Sequence, residues 1–312
     1  MRRGLLSSVG AVAALAAMLG SAAAEPCLRG FNLARAEFGK LPGVLGKDYT
    51  YPAPATIDTY VATGASVIRL PVRWERLQPA LGEPLSEAEL AALDATVDAA
   101  TTAGLAVVID VHNYGYYAEK QIGSTEVPTD AFARFWARLA SHYAGRDGVV
   151  FSLMNEPYDI AAPDWLKITN AAIAAIRVIG ADNLILVSGT AYAGAHSWSK
   201  TLATGNNAEV MAGVVDAANR YAYDFHQYID ADFSGRSAEC SGAAAAVEDV
   251  RSVTGWLRKN GKHGFLGEFA ASKDPACLAA MKDLVAVVDG APEQWIGWTY
   301  WAGRAWWPTD YI

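Results

Sequence analysis

Residues 149–157 read VVFSLMNEP. Five of the first six are apolar and two of those are β-branched, the pattern of a strand buried on both faces of a parallel sheet. Pro157 lacks the N–H that a ladder needs, so the strand must stop at Asn155 and Glu156. A carboxylate at the carboxyl end of a buried parallel strand is where α/β folds place their chemistry. Alone, Glu156 reads equally well as a charge marking a strand end, and the surrounding chain has to decide.

Outward from this stretch, eight short and mostly apolar runs alternate with helix-like segments. The strand candidates are Gly30–Ala34, Ser66–Val72, Ala106–His112, Val149–Asn155, Asn183–Ser188, Tyr221–Tyr228, Gly264–Phe269 and Trp295–Trp301. The clearest helix lies between the second and third. Ser86 and Glu89 form a capping box, Leu90, Leu93 and Val97 keep one face apolar, and Gly104 ends it. Comparable segments run from Thr129 to Ala144, from Trp165 to Ile179 and from Ala243 to Asn260. Eight strand–helix alternations predict parallel βαβ units closed into a (β/α)₈ TIM barrel, an α/β fold. No repeat, linker or low-complexity tract divides the chain, so residues 25–312 are expected to form one domain. Only eleven residues follow Trp301. The expectation is therefore an eighth helix missing or truncated, with another element covering that side.

Residues 1–24 have the form of a targeting segment: Arg2 and Arg3, then apolar Leu5 to Leu19, then Ala22-Ala23-Ala24. Ser7, Ser8, Gly10 and Gly20 interrupt the run, which argues against a membrane anchor. Secretion with cleavage near Ala24 is expected. Loss of Arg2 and Arg3 would take the formal charge from −8 to −10. An acidic secreted protein is a poor partner for nucleic acid or anionic membranes, and a neutral substrate suits it better. In an oxidising compartment Cys240 and Cys277 are expected to pair across a loop of nearly forty residues, worth roughly 3–4 kcal/mol in the chain-entropy picture. Cys27 is then left as a free or intermolecular thiol.

Most strand candidates end in polar or aromatic groups that a scaffold does not need. Arg69 stands in VIRLPVRW, His112 and Asn113 in DVHNYGYY, and Asn155 and Glu156 in LMNEP. His226 and Tyr228 stand in FHQY, Glu268 in LGEFA, and Trp301 closes WIGWTYW. In a barrel these ends converge at one mouth. Two carboxylates on non-adjacent strands, Glu156 and Glu268, are what glycosidic hydrolysis requires: one acid protonated, the other ionised. Arg69 beside Glu268 would hold the nucleophile ionised, and a drier pocket would raise the pKa of Glu156. The plainer account of Glu268, a buried salt bridge to Arg69, does not explain the second glutamate.

Tyr114, Tyr116, Tyr117, Trp198, Trp301, Trp306 and Trp307 fall in or beside the expected mouth loops, where flat faces suit pyranose rings. Packing accounts for a single aromatic equally well; Trp301, at a strand end, stands out. His196 shares a loop with Trp198 and is a further cleft candidate. Asp110 and Asp224 lie inside their strands and read as structural, and His142 and His263 as surface residues. Five histidines without HExxH or a Cys–His cluster point to no metal and no cofactor. No Gly-x-Ser-x-Gly elbow is present, which disfavours an α/β-hydrolase.

Taken in order, RGFNLARAEFG, TIDTYVATGASVIRLPVRWERLQP, DVHNYGYY, LMNEP, FHQY, LGEFA and TYWAGRAWW resemble glycoside hydrolase family 5, especially its secreted endo-β-1,4-glucanases. The resemblance spans the mature chain. It implies a retaining (β/α)₈ hydrolase without cofactor, acting on a neutral β-glucan polysaccharide. By the same resemblance Glu156 is the acid/base and Glu268 the nucleophile. Asn155 and His112 would hold sugar hydroxyls, and Tyr228 and Arg69 would position Glu268. His226 would attend Glu156, and Trp301 would form the platform under the ring. Asn113, Tyr114, His196, Trp198, Trp306 and Trp307 would supply outer subsites. Cys240 and Cys277 fall where some of these cellulases have a disulfide. Two departures stand out: Tyr116 where relatives often carry arginine, and the early end at Ile312. A β-mannanase, xyloglucanase or other β-glucanase shares the same frame, and a glucan-binding module without catalysis is the non-enzymatic alternative. No protein partner is indicated, and a monomer is expected.

Overall fold

A computed structural model of the chain describes residues 27–303. Eight parallel strands form a closed barrel: β1 Leu28–Asn32, β2 Val67–Val72, β3 Ala106–Val111, β4 Val149–Ser152, β5 Ile185–Ser188, β6 Tyr221–His226, β7 Gly264–Glu268 and β8 Trp295–Tyr300. Each pairs with the next, and β8 closes the ring on β1 with Leu28 opposite Gly297. A side chain at Gly297 is excluded there, because its φ is +154° and a Cβ would sit 2.0 Å from the Leu28 carbonyl. The expected single (β/α)₈ domain is thus observed, with every expected strand in place.

Helices cover the outside: α1 Pro54–Val61, α2 Glu87–Thr102, α3 Thr129–Tyr143, α4 Ala162–Val178, α5 Ala243–Asn260 and α6 Pro275–Asp289. Ser86 caps α2 by accepting from the Glu89 N–H, and Leu93, Val97 and Ala100 face inward. The expected reciprocal half of the capping box is absent. The buried Glu89 carboxylate instead accepts from the hydroxyls of Tyr49 and Tyr51 at 2.6 and 2.7 Å. α6 was not foreseen, although Asp274 at its N-cap and Pro275 at its first position announce it. Between β5 and β6 the described chain offers only short turns such as the one-turn helix Asn207–Val210 in place of a long helix. The expectation of a missing or truncated eighth helix falls after residue 303, outside the described residues, as do Trp306, Trp307 and residues 1–26. Among the described residues no helix is long and apolar enough to cross a membrane.

Inside the barrel the inward residues stack in layers. Val67, Val108, Val150, Leu186, Ala222 and Phe265 form a separate buried cluster. Two residues further along four of these strands, period-2 alternation returns Arg69, Asp110, Ser152 and Asp224 to the same face. All four are buried. The interior therefore changes from apolar to charged toward the carboxyl ends, just where the next residues open into the mouth.

Candidate active site

Arg69 on β2 organises the mouth. Its side chain is fully buried. Nη1 donates to Asn32 Oδ1 at 2.8 Å and to Glu268 Oε2 at 3.3 Å. Nη2 donates to Asn155 Oδ1 at 2.7 Å and pairs with Asp110 Oδ1 at 3.0 Å. The carboxylates around it hold its guanidinium firmly charged. Asp110 in turn accepts from His112 Nδ1 at 2.7 Å, and Asn155 Nδ2 lies 3.2 Å from His112 Nε2. These contacts assign the proton to Nδ1 and leave Nε2 as acceptor. Burial lowers the His112 pKa to about 4 despite Asp110, so the ring is neutral.

Glu156 does not sit on the strand tip itself. β4 ends at Ser152, but the Leu153 and Asn155 N–H groups still bond to the carbonyls of Leu186 and Val111 at 3.1 and 2.8 Å. The chain then turns at Glu156, whose φ of +44° is the left-handed conformation. This turn aims the carboxylate back over the mouth. Its Oε1 is 2.7 Å from His226 Nδ1, and the same nitrogen lies 3.7 Å from Glu268 Oε2. Glu268 closes β7 and accepts from the Tyr228 hydroxyl at 2.5 Å. One oxygen of Glu156, one of Glu268 and one nitrogen of His226 all lie within 4.8 Å of one another. A guanidinium beside Glu268 and a hydrogen bond already joining Glu156 to His226 fill that space with acid–base contacts, so the trio is poorly suited to a cation.

Burial raises the Glu156 pKa to about 8, with Asp110 adding to the effect and Arg69 opposing it. The Glu268 pKa is also raised, chiefly by burial and further by Glu156, while His226, Arg69 and Tyr228 oppose the shift. Arg69 is therefore in its expected place but does not by itself bring Glu268 below the ordinary carboxylate range. Glu268 differs from Glu156 in having two donors aimed at its ionised form. Of the two side chains, Glu156 keeps the greater exposure to the cleft, 17% against 7%.

Trp301 lies almost parallel to the His112 ring at 5.6 Å between centroids, with an interplanar angle of 15°. The Tyr114 hydroxyl reaches His112 Nε2 at 3.3 Å. Beyond Glu156 a cavity of about 400 Å³ is lined by Tyr192, His196, His226, Tyr228 and Phe233 among others. His196 stacks on Phe233 at 4.8 Å, as expected of a cleft residue. Tyr192, which was not anticipated, is half exposed and stacks on Tyr158 at 5.1 Å. A larger groove of about 860 Å³ lies on the outer surface between α5 and α6, away from the strand ends.

Trp198 and Tyr117 lie elsewhere, while Asn113 borders a cavity of about 240 Å³ beside Tyr114 and also serves as a brace. Trp198 is wholly buried behind β6 against Tyr223, Phe225 and Trp256. It belongs to the core because its loop folds inward over the sheet. Asn113 accepts from the Trp74 N–H and donates to Glu75, so both ends of its amide brace the β3 loop. Tyr117 packs on Trp74 and donates to the Gln78 carbonyl. Cys240 and Cys277 form a disulfide with Cα atoms 5.4 Å apart, pinning the loop after β6 to the first turn of α6. Cys27 is a free thiol.

The family model Cellulase (glycosyl hydrolase family 5) matches residues 22–305. The probable endo-beta-1,4-glucanase B of Aspergillus niger is 36% identical over 285 residues, covering 91% of this chain and 83% of the relative. Endoglucanase 3 of Humicola insolens is 37% identical, covering 91% and 71%. Among solved structures, an endo-beta-1,4-glucanase from Xanthomonas axonopodis pv. citri superposes with a TM-score of 0.89 at 44% identity, covering 91% of this chain and 90% of that one. Endoglucanase Cel5A of Pseudomonas stutzeri in complex with cellobiose superposes at 0.81 with 34% identity, covering 91% and 85%. With this barrel, this pair of glutamates and these relatives, the chain belongs to glycosyl hydrolase family 5 and is a glycoside hydrolase.

Proposed function

We propose that the protein is an endo-β-1,4-glucanase that cleaves internal bonds of cellulose or related β-glucans with retention of configuration. The observation that carries this reading is the approach of Glu156 and Glu268 to within 4.8 Å, with His226 between them. In retaining glycosidases the two carboxyl groups lie about 5–5.5 Å apart, too close to admit a water for direct inversion. Glu268 attacks the anomeric carbon while Glu156 passes its proton to the departing glycosidic oxygen. The bond to the leaving sugar breaks as the ester to Glu268 forms. Glu156, now ionised, takes a proton from water, whose oxygen displaces Glu268 and regenerates both side chains.

Each supporting residue has a role that fits its contacts. Arg69 and Tyr228 position Glu268, and His226 attends Glu156. Asn155 and His112 are placed to hold sugar hydroxyls. Trp301 offers a ring face beneath the sugar to be cleaved, while Tyr114 and His196 border neighbouring sugars. The net charge of −8 suits a neutral polymer. The leader-like residues 1–24 and the Cys240–Cys277 disulfide support secretion after cleavage near Ala24.

The test is sugar release from carboxymethyl cellulose, barley β-glucan, mannan and xyloglucan, with the anomer first formed followed by NMR. Wild-type protein should favour the first two substrates and release the β-anomer. Glu268→Ala should abolish release while melting normally. Preference for mannan, or an α-anomer as first product, would overturn the assignment.

A further inference from the structure

Three consecutive residues in the loop after β5, Ala191, Tyr192 and Ala193, have φ of +59°, +61° and +55°. No other three consecutive residues among those described have positive φ. In the left-handed region Cβ crowds the following carbonyl oxygen, so residues other than glycine enter it singly. A run of three persists only where its surroundings over-determine it, and such strain gathers at functional sites. Core packing does not account for this run. Ala193 is buried, but Tyr192, its large side chain, is half exposed and lines the cavity beyond Glu156.

The turn holds both partners of one hydrogen bond. The Tyr192 N–H donates to the carbonyl of Pro157, the residue after Glu156, at 3.0 Å. The Ala193 carbonyl accepts from the His226 N–H at 2.9 Å. The side chains of Glu156 and His226 meet at 2.7 Å between Oε1 and Nδ1. Two successive residues of the turn thus fix the backbones on either side of that contact. The rings add a second hold. Tyr192 lies on Tyr158 with centroids 5.1 Å apart and planes 6° from parallel. Tyr158, two residues past Glu156, also meets Tyr116 at 5.2 Å, and its N–H donates to the Tyr114 carbonyl at 3.4 Å. Such bracing is needed at Glu156. A residue before proline favours the extended conformation, yet Glu156 is held at φ +44°.

We propose that Tyr192 is a positioning residue for proton donation: its ring and N–H, presented by the left-handed turn, lock the Glu156 turn in register with His226 and keep the carboxyl aimed at the glycosidic oxygen. Without the stack, Glu156 relaxes toward the extended conformation and its carboxyl swings away from the leaving group. The nucleophile is held separately, by Arg69 on β2 and by the Tyr228 hydroxyl. Loss of the Tyr192 ring therefore damages bond cleavage that needs a proton and spares cleavage that does not.

The inference rests on Glu156 being the acid/base, and its test separates the two ideas. Aryl β-cellobiosides report, through kcat/KM, the step in which the glycosidic bond breaks. Phenol leaves only with a proton, whereas dinitrophenol leaves without one. Tyr192→Ala should lower kcat/KM about tenfold on the phenyl substrate and change it by less than about twofold on the dinitrophenyl one. Tyr192→Phe, which keeps the stack, should restore the phenyl rate. Tyr158→Ala, which removes the partner ring, should reproduce the loss, and it decides if Tyr192→Ala does not fold. Equal losses on both substrates would make Tyr192 a wall of the sugar site only and overturn the proposal. So would an undiminished phenyl rate, or no rescue by phenylalanine. Glu156→Gln is the control: it should lose the phenyl substrate and keep the dinitrophenyl one. Full phenyl activity there would remove the acid/base assignment and this inference with it. The expected control beside an indifferent Tyr192→Ala overturns this inference alone.

Discussion

The Tyr228 hydroxyl donates to Glu268 Oε1 at 2.5 Å, on the side of the carboxylate away from Arg69, which holds Oε2 at 3.3 Å. Each oxygen of the nucleophile thus has its own donor. Hydrogen bonds to charged groups contribute about 1.5–3 kcal/mol, so Tyr228→Phe should lower kcat roughly ten- to a hundredfold. Because the lost donor favours the ionised form, the Glu268 pKa rises further and the acid limb of the rate profile moves to higher pH. A Phe variant whose acid limb stays in place would show that Tyr228 contributes packing alone.

Activity should also fall on the alkaline side. The acid form of Glu156 is needed for the first step, and burial lifts its pKa to about 8. The pair titrates together, so kcat/KM on a soluble glucan should follow a bell whose upper limb lies near pH 8. The lower limb should lie above the usual carboxylate range, because Glu268 is raised as well. Rates that stay level well beyond pH 9, about one unit past that limb, would exclude Glu156 as the proton donor.

Glu37, in the loop after β1, gives a stability prediction. It is buried, its Oε2 accepts from the Arg35 N–H at 2.6 Å and its Oε1 has no partner. Burial lifts its pKa from 4.5 to about 8, the backbone donors opposing and Asp110 and Glu268 adding. The folded state therefore holds a proton that the unfolded chain releases. Stability is full below the unfolded value and declines as pH rises from about 4.5 toward 8. The gap corresponds to at most about 5 kcal/mol. Glu37→Gln should flatten this decline and exceed the wild type in stability at alkaline pH. Denaturant titrations on both sides of the window measure it, and parallel slopes for the two proteins would refute it.

The barrel was legible because its strands are apolar runs closed by polar residues, a pattern set by double-sided burial within each run. Glu268 and Arg69 were legible for the same reason, as polar members of otherwise apolar strands. Pro157 marked where pairing stops, and Asn155 makes the last bond to the neighbouring strand, but nothing in LMNEP announces the left-handed turn at Glu156. The burial of Glu37 escaped notice because its surroundings are distant in sequence: Arg76, held by carbonyls of that same loop, is 39 positions away. Aromatic identity also failed to separate cleft from core. Tyr192 and Trp198 are six positions apart in one loop, and only the fold shows that one lines the cavity and the other packs into the core.

That contrast gives the sharpest test of the site boundary. Trp198 meets Phe225 edge-on at 4.8 Å and Trp256 at 5.1 Å, deep under the loop, while His196 two residues earlier lies against Phe233 in the cavity wall. Truncating Trp198 to alanine leaves a large void and should cost about 3–5 kcal/mol of stability, seen as a lower melting temperature. Trp198→Phe should cost much less, because the indole Nε1 has no acceptor to lose. Neither change touches the cavity, so KM for folded protein should hold steady. His196→Ala should do the reverse: the melting temperature stays near wild type, while KM rises for long cello-oligosaccharides more than for short ones. If Trp198→Phe raised KM and His196→Ala did not, the wall of the cleft would have to be redrawn on the other side of this loop.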